Sequence, residues 1–461
     1  MCGALAIAAP AAALPAASQD LRLSPAQAQW FAAGYQLSAG PLQLGAGRLA
    51  DRIGPRRVLL AALAVFTAGT LWAAVAGGAP GLIGARLLQG TGGAVLSPVS
   101  LTLLLALHRT SGNETRAVAG WVSTAAVASC LGPLLGGSLT TALGWRGVFG
   151  ALAVLAAVTV CGALALPVAR TPLMSRTPLD ITGIALCTGA AAAILIAVTG
   201  PAALTTVSGP AAAVLLLLLV RRTRRHPHAA LDARLLRHSP AHRALWGLLT
   251  LFTANSAFTF LTYFYLAHAH ALGPFRATLL TLPATLPAVL TGRLAAAGTA
   301  RGHGRRLLRA GLLCVAAGLL TATSGFGRPT PLWLLCGAYV LVGCGLGLAN
   351  GAAMATVTAR HRTAGATATA TTFAMLGGAS GPVVAGAVLL AADRLPFVRG
   401  TPPGPPGTAR GAGHASWPIA EQHLTAGIHA SLAVLALTTA TAALALTRRV
   451  HAPCPDGLES G

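Results

Sequence analysis

The 461-residue chain contains no lysine: all 32 of its basic residues are arginine. Acids are scarce as well, nine in all, and charged residues make up only 9% of the chain. A soluble domain of this length needs a charged surface, and there is too little charge here to build one. The absence of lysine also removes any phosphate-binding loop of the G-x-x-x-x-G-K-[ST] kind, so ATP hydrolysis by this chain is not expected. Eight cysteines (Cys2, Cys130, Cys161, Cys187, Cys314, Cys336, Cys344 and Cys454) are scattered without a CxxC or any metal-type spacing. They read as small apolar packers, and neither a metal nor another cofactor is expected. No Asp or Glu lies deep in an apolar run: Asp20 and Asp180 sit at ends and Glu114 in a loop.

What is present is apolar sequence. The chain is 54% hydrophobic with a mean hydropathy of +0.70. Runs long enough to cross a hydrocarbon core of roughly 30 Å as a helix recur from end to end. Lipid offers no partner to backbone N–H and C=O groups, so helices are the expected form. The fold class is therefore an all-α polytopic membrane protein, with the lipid bilayer as its surroundings. Periodicity and punctuation divide it into fourteen spans, near 2–17, 27–47, 58–76, 82–106, 117–141, 147–168, 181–200, 205–220, 244–270, 275–297, 308–325, 332–354, 364–391 and 424–446. The first begins almost at Met1 and is short of the roughly 20 residues a crossing takes, so the native start is expected further upstream.

A net charge of +23 could suggest nucleic-acid binding, but that needs a basic face on a soluble module, and the chain has none. Topology explains the charge better. If "GRLADRIGPRR" (47–57) is cytoplasmic and the spans alternate, the inside segments hold 24 Arg. The outside segments hold seven, Arg22, Arg146, Arg276, Arg328, Arg394, Arg399 and Arg410, and Arg86 is left within a span. This asymmetry predicts a cell-membrane protein with both termini cytoplasmic. The loop 221–243, with seven Arg, is expected near anionic headgroups, a partner protein being the alternative. The Pro/Gly-rich segment 396–418 falls outside and is expected to be disordered.

The chain also repeats itself. "GRLA" occurs at 47–50 and 292–295, residues 84–90 match 337–343, and Gly132-Pro133 matches Gly381-Pro382, all at nearly one offset. An even number of spans separates the copies, so two halves of like orientation are expected. The organisation reads as a six-span bundle (1–168), two extra spans with a basic loop (169–243), a second six-span bundle (244–447) and a tail (448–461).

"GRLADRIGPRR" packs five charged side chains into a turn between two spans. Gly47 and Gly54 allow a tight turn. Asp51 can pair with a nearby Arg or face the positive end of a helix, a contact that one conformation makes and another breaks. Charge alone would fit a plain positive-inside loop. The pattern is more specific, and resembles the loop signature G-x-L-a-D-r-x-G-r-r of the major facilitator superfamily. Gly47, Leu49, Asp51, Arg52, Gly54, Arg56 and Arg57 match it, and Arg48 lies within it. The resemblance implies a conformational latch between two halves. "LIGARLLQGTGGAVLSP" (82–98) is similar to the family's fourth-span signature, R-x-x-Q-G-x-g-a. "LGPLLGGSL" (131–139), followed by "GWRGVF" (144–149), looks like its fifth-span antiporter signature. With fourteen spans the chain is identified as a member of the drug:proton antiporter branch, and "YLAHAHALGPFRA" (265–277) is reminiscent of methylenomycin-resistance exporters. The implied fold is two six-helix bundles plus two extra spans.

Arg86 lies about five residues into its span. A central Arg costs roughly 2.5–3.5 kcal/mol to insert, so it should face a cavity or a partner, unless it snorkels to the interface. Gln89, one turn on, shares its face. The resemblance places this Arg near a proton and substrate path. Gly132, Pro133, Gly136 and Gly137 let a neighbouring helix approach closely and bend their own; only the family match makes that a gate. Two departures stand out. The family's first span carries an acid where this chain has Ala6, and its thirteenth carries Arg-Gln where this chain has Ala374-Met375. His268 and His270 are then the candidate proton carriers, since imidazole titrates near neutral pH, the alternative being interfacial histidines. Tyr35, Gln36, Gln43, Trp121, Asn255, Tyr263, Tyr339 and Asn350 are candidate pocket residues, each a polar or aromatic group within a span, with ordinary packing as the alternative.

The expected function is export of a hydrophobic or amphiphilic small molecule by proton-driven alternating access, not enzymatic. The partners are that substrate, protons and the bilayer, with no nucleic acid. Two rivals remain: a facilitator or importer of a polar solute on the same fold, and a degenerate, non-transporting membrane protein.

Overall fold

The computed structural model describes residues 1–108, 114–165, 178–226, 229–231, 235–236, 240–268, 272–325, 332–360, 364–393 and 421–446. Every element among them is helical. In chain order they are α1 (Cys2–Asp20), α2 (Pro25–Ile53), α3 (Pro55–Ala74), α4 (Ala79–His108), α5 (Glu114–Ala165), α6 (Ile181–Thr199), α7 (Ala202–Arg225) and α8 (Pro240–His268). Then come α9 (Pro274–Thr281), α10 (Thr285–Ala300), α11 (Gly304–Gly325), α12 (Leu332–Arg360), α13 (Ala364–Asp393) and α14 (Glu421–Ala445). The expected disordered stretch 396–418 lies outside the described residues.

Local chemistry sets the boundaries. Ser24 and Gln27 form a capping box at the start of α2, and Pro25 occupies its first turn, where a missing N–H costs nothing. Gly54, at φ +100°, lets the chain turn between α2 and α3. Gly144, at φ +73°, breaks the 52 residues of α5 into two rods. α9 and α10 meet through a 3₁₀ turn at Leu282–Ala284, where Pro283 interrupts the hydrogen-bond ladder, so the single span expected at 275–297 is a bent one.

Twelve helices among the described residues are long and apolar enough to cross a membrane. One of these, running to Ala165, contains the Gly144 break. α2 is not among the twelve; it carries Gln27, Gln29, Gln36 and Gln43 yet has 29 residues and lies largely buried between neighbours. Counting α2, and dividing α5 at Gly144, gives fourteen rods, the number expected. The chain is a multi-pass membrane protein.

α1 to α5 pack on one another, and α8 to α14 do the same. Small residues make the tight crossings. A Cβ at Gly132 of α5 would run into Ala8 of α1, and one at Gly381 of α13 into Thr253 and Ala257 of α8. The two Gly-Pro copies of the repeat thus make equivalent helix–helix crossings. Between the groups, α2 packs along α13, with Thr372 Oγ1 donating to the Gly40 carbonyl at 2.8 Å. α5 packs on α9 through Gly137, Pro274 and Thr278.

The hairpin α6–α7 lies over the α2–α13 seam. Ile184 and Cys187 of α6 bury against Leu44 of α2, with Phe373 and Leu376 of α13 packed beside them. Leu195 joins Ala33, Leu37, Ala379 and Val383 in a second cluster. Among the described residues the other seam, α5 against α9 and α10, carries no such cover. There the first half of α5 exposes Val127 and Leu131, and α10 exposes Leu286, Leu290 and Leu294.

Candidate functional site

Arg86 points inward. Only 2% of it is exposed, so it does not snorkel to the interface. The close fit of α4 against α2 and α3 holds it there: a Cβ at Gly90 would meet the Tyr35 carbonyl and Ser38, and one at Gly69 would meet the α4 backbone at Gln89. Its Nη1 donates to the Ala6 carbonyl at 2.9 Å and to Gln89 Oε1, and Nε donates to the Phe31 carbonyl at 3.5 Å. Gln89 Nε2 passes the chain on to Thr70 Oγ1 at 2.9 Å. The rings of Phe31 and Tyr35 lie 5.4 and 5.1 Å from the guanidinium carbon, close enough for cation–π attraction. Three helices, α1, α2 and α4, therefore converge on one buried cation. Arg86, Gln89 and Tyr35 are residues the sequence singled out. Ala6, Phe31 and Thr70 complete the network, and two of these act through backbone carbonyls, which no side-chain pattern reveals.

The loop Gly47–Arg57 begins about 18 Å further along α2 than Tyr35, at 1.5 Å per residue. Arg48 Nη2 donates to the Ala229 carbonyl at 3.1 Å. Arg56 donates to the carbonyls of Ala163 and Leu164 at 3.3 and 2.7 Å, capping the C-terminal end of α5. Gly47 is half-buried with no atom near the place a Cβ would take. Arg52 and Arg57 are exposed. The sequence offers Asp51 an Arg partner, but Asp51 makes no ion pair among the described residues. The described ion pairs are Arg146–Asp20 at 2.6 Å and Arg222–Asp180 at 2.7 Å.

Gly132 and Gly136 face α1, at Ala8 and Ala9, while Gly137 faces α9; Pro133 between them is half-buried. The remaining candidates do not form one cluster around Arg86. Gln36 reaches across to Gly378 of α13, and Gln43 is buried on α2. Trp121 Nε1 donates to Ser100 Oγ at 3.1 Å, tying α5 to α4. Asn255 on α8 and Asn350 on α12 are half-buried. Tyr263 is 3% exposed. Tyr339 packs its ring 4.8 Å from that of Phe258, and its buried hydroxyl makes no hydrogen bond of good geometry among the described residues. His268 ends α8; its side chain, and His270 altogether, lie outside the described residues.

Two polar clusters escaped the sequence reading. At one end of the bundle, Trp145 Nε1 and Arg146 Nη1 both donate to Asp20 Oδ2, at 2.9 and 2.6 Å. At the Arg-rich end, Asp180 caps α6 through Gly183 N–H at 2.9 Å and also accepts from Arg222 and from Ala230 N–H at 2.8 Å. Burial works against the Asp180 charge, but those three donors outweigh it and hold the carboxyl below the usual carboxylate range. No group of three or more His, Cys, Asp or Glu fit to hold a metal occurs among the described residues.

The chain matches the Major Facilitator Superfamily over residues 1–382. The multidrug efflux pump LfrA of Mycolicibacterium smegmatis is 30% identical over 314 residues, which cover 67% of this chain and 62% of that protein. The methylenomycin A resistance protein of Streptomyces coelicolor is 31% identical over 329 residues, 70% of this chain and 68% of that one. The chain thus spans somewhat less than two thirds of the efflux pump it matches. A crystal structure of an auto-inhibited POT family peptide transporter superposes with a TM-score of 0.66, covering 96% of this chain and 94% of its own. At 17% identity that likeness is one of fold. With the match running from the first helix into α13, the chain belongs to the Major Facilitator Superfamily.

Proposed function

We propose that the protein is a secondary active exporter of a hydrophobic or amphiphilic small molecule, working by alternating access and driven by proton antiport. The observation that carries this reading is the match, over two thirds or more of the chain, to relatives named as a multidrug efflux pump and an antibiotic resistance protein. The buried polar network around Arg86 supports it, because an intramembrane ionisable group that faces the bundle interior marks a substrate or ion pathway.

In this reading residues 1–168 and 244–447 are two six-span bundles that rock against each other, with 169–243 inserted between them and 448–461 a tail. The protein sits in the cell membrane with both termini cytoplasmic. The loop Gly47–Arg57 is the latch, Gly132 to Gly137 the flexing seam, and Arg86, Gln89, His268 and His270 the proton and substrate path. The pocket draws on Tyr35, Gln36, Gln43, Trp121, Asn255, Tyr263, Tyr339 and Asn350. The scarcity of acids inside the spans favours one rival, a membrane protein that no longer transports. Expression in a drug-sensitive host separates the two: a raised tolerance together with dye efflux supports export, and an unchanged tolerance to every compound tried supports the rival.

A further inference from the structure

Arg86 is a buried cation with no anion beside it among the described residues. The acids whose side chains are described, Asp20, Asp51 and Asp180, all lie at helix ends, and none meets it. Its acceptors are neutral: two backbone carbonyls and one amide oxygen. A guanidinium does not shed its proton at physiological pH, so the charge stays. Neutral dipoles and ring faces offset only part of the cost of holding a full charge away from water. The donor inventory is also incomplete. Nε and Nη1 are engaged, while Nη2 donates to nothing among the described residues. Arg86 keeps 2% of its surface exposed, and Nη2 is the donor left over for a ligand.

We propose that the missing counter-anion arrives on the substrate: the Arg86 site selects amphiphiles bearing a carboxylate or a comparable acidic oxygen. The planar guanidinium already has one edge fixed by Ala6 and Gln89, which presents Nη2 for charge-assisted hydrogen bonds to an oxyanion. The inference rests on the exporter reading and adds the ionic class of the cargo. It also explains why Ala6 matters. The Ala6 carbonyl lies 2.9 Å from Nη1, so an acid at position 6 would neutralise Arg86 from within the protein and leave no vacancy for an anionic ligand.

The full-length protein, purified and reconstituted, tests this with two probes of opposite charge, fluorescein as the anion and ethidium as the cation. Binding is read as ligand-induced thermal stabilisation and transport as uptake into everted vesicles. Wild type is expected to bind fluorescein, and Arg86→Gln to bind it about tenfold or more weakly, with Arg86→Lys between them. Ala6→Asp should lose fluorescein binding, while Ala6→Asn, with the same bulk and no charge, keeps it. If Ala6→Asn behaves as Ala6→Asp does, or Arg86→Gln binds fluorescein as wild type does, the proposal is overturned. Stabilisation by chloride alone, without any effect of fluorescein, assigns the site to an inorganic ion and also overturns it. Export of ethidium but not fluorescein by wild type leaves the exporter reading standing and removes this one. Fluorescein binding without export of either dye removes the exporter reading and keeps the anion site.

Discussion

Arg222 Nε lies 2.7 Å from Asp180 Oδ1, so that the last turn of α7 is tied to the cap of α6. The same carboxylate accepts from Ala230 N–H, and the neighbouring Ala229 carbonyl accepts from Arg48. One buried acid thereby connects the α6–α7 hairpin to the loop Gly47–Arg57. Asp180→Asn keeps the shape and removes the charge, leaving Arg222 with a weakened partner. The expected loss is about 1–3 kcal/mol, visible as a lower melting temperature in detergent. The pH dependence has a definite sign. The folded-state pKa is depressed, so the stabilisation is present above the unfolded value near 3.9 and is lost as pH falls through the lower folded value. Wild type should therefore lose thermal stability below about pH 4 by more than the Asp180→Asn protein does; equal losses would remove Asp180 as the cause.

The α1–α5 crossing depends on the absence of a side chain at Gly136. A Cβ there meets the Ala9 carbonyl, whereas one at Gly120 of the same helix meets nothing within 4 Å. Gly136→Leu is expected to cost about 1–3 kcal/mol or more through overpacking, and Gly120→Leu close to nothing. Expression yield and melting temperature, measured side by side, check the contrast.

Asp51 has no ion-pair partner among the described residues, so Asp51→Asn should leave the melting temperature nearly unchanged. A latch contact formed in another conformation would still be lost. The expected outcome is severely impaired efflux from cells that express the variant at wild-type levels. Unimpaired efflux would reduce the loop to a topological signal.

With Ala6 in the first span and Arg86 always charged, a titrating carrier has to come from elsewhere, and His268 and His270 are the candidates. A double His268→Gln, His270→Gln variant is expected to lose efflux driven by an imposed pH gradient while still binding substrate. Full gradient-driven efflux in that variant would make both histidines interfacial.

The sequence by itself determined that the chain is a helical membrane protein, and nearly where its helices run. Hydropathy is a local property and lipid leaves the backbone no alternative to helix, so the first span, the pair at 181–220 and even the Gly-punctuated turn at Gly54 were legible residue by residue. Gly132 and Gly136 announced a close helix approach for the same reason. Which helix approaches is another matter: that α1 supplies Ala8 and Ala9 follows from how two helices far apart in sequence dock. Arg86 shows the limit most plainly. Its position five residues into a span favours an interior side chain but leaves snorkelling open, and its acceptors, the carbonyls of Ala6 and Phe31, carry no mark in the sequence because every residue has one. The placement of α6 and α7 over the α2–α13 seam is likewise invisible, since two apolar helices can lie against any lipid-facing surface. Only tertiary packing, in which Gly90 brings α4 onto Tyr35 and Leu195 settles among Leu37 and Val383, decides where the buried charge ends up and which seam the extra hairpin covers.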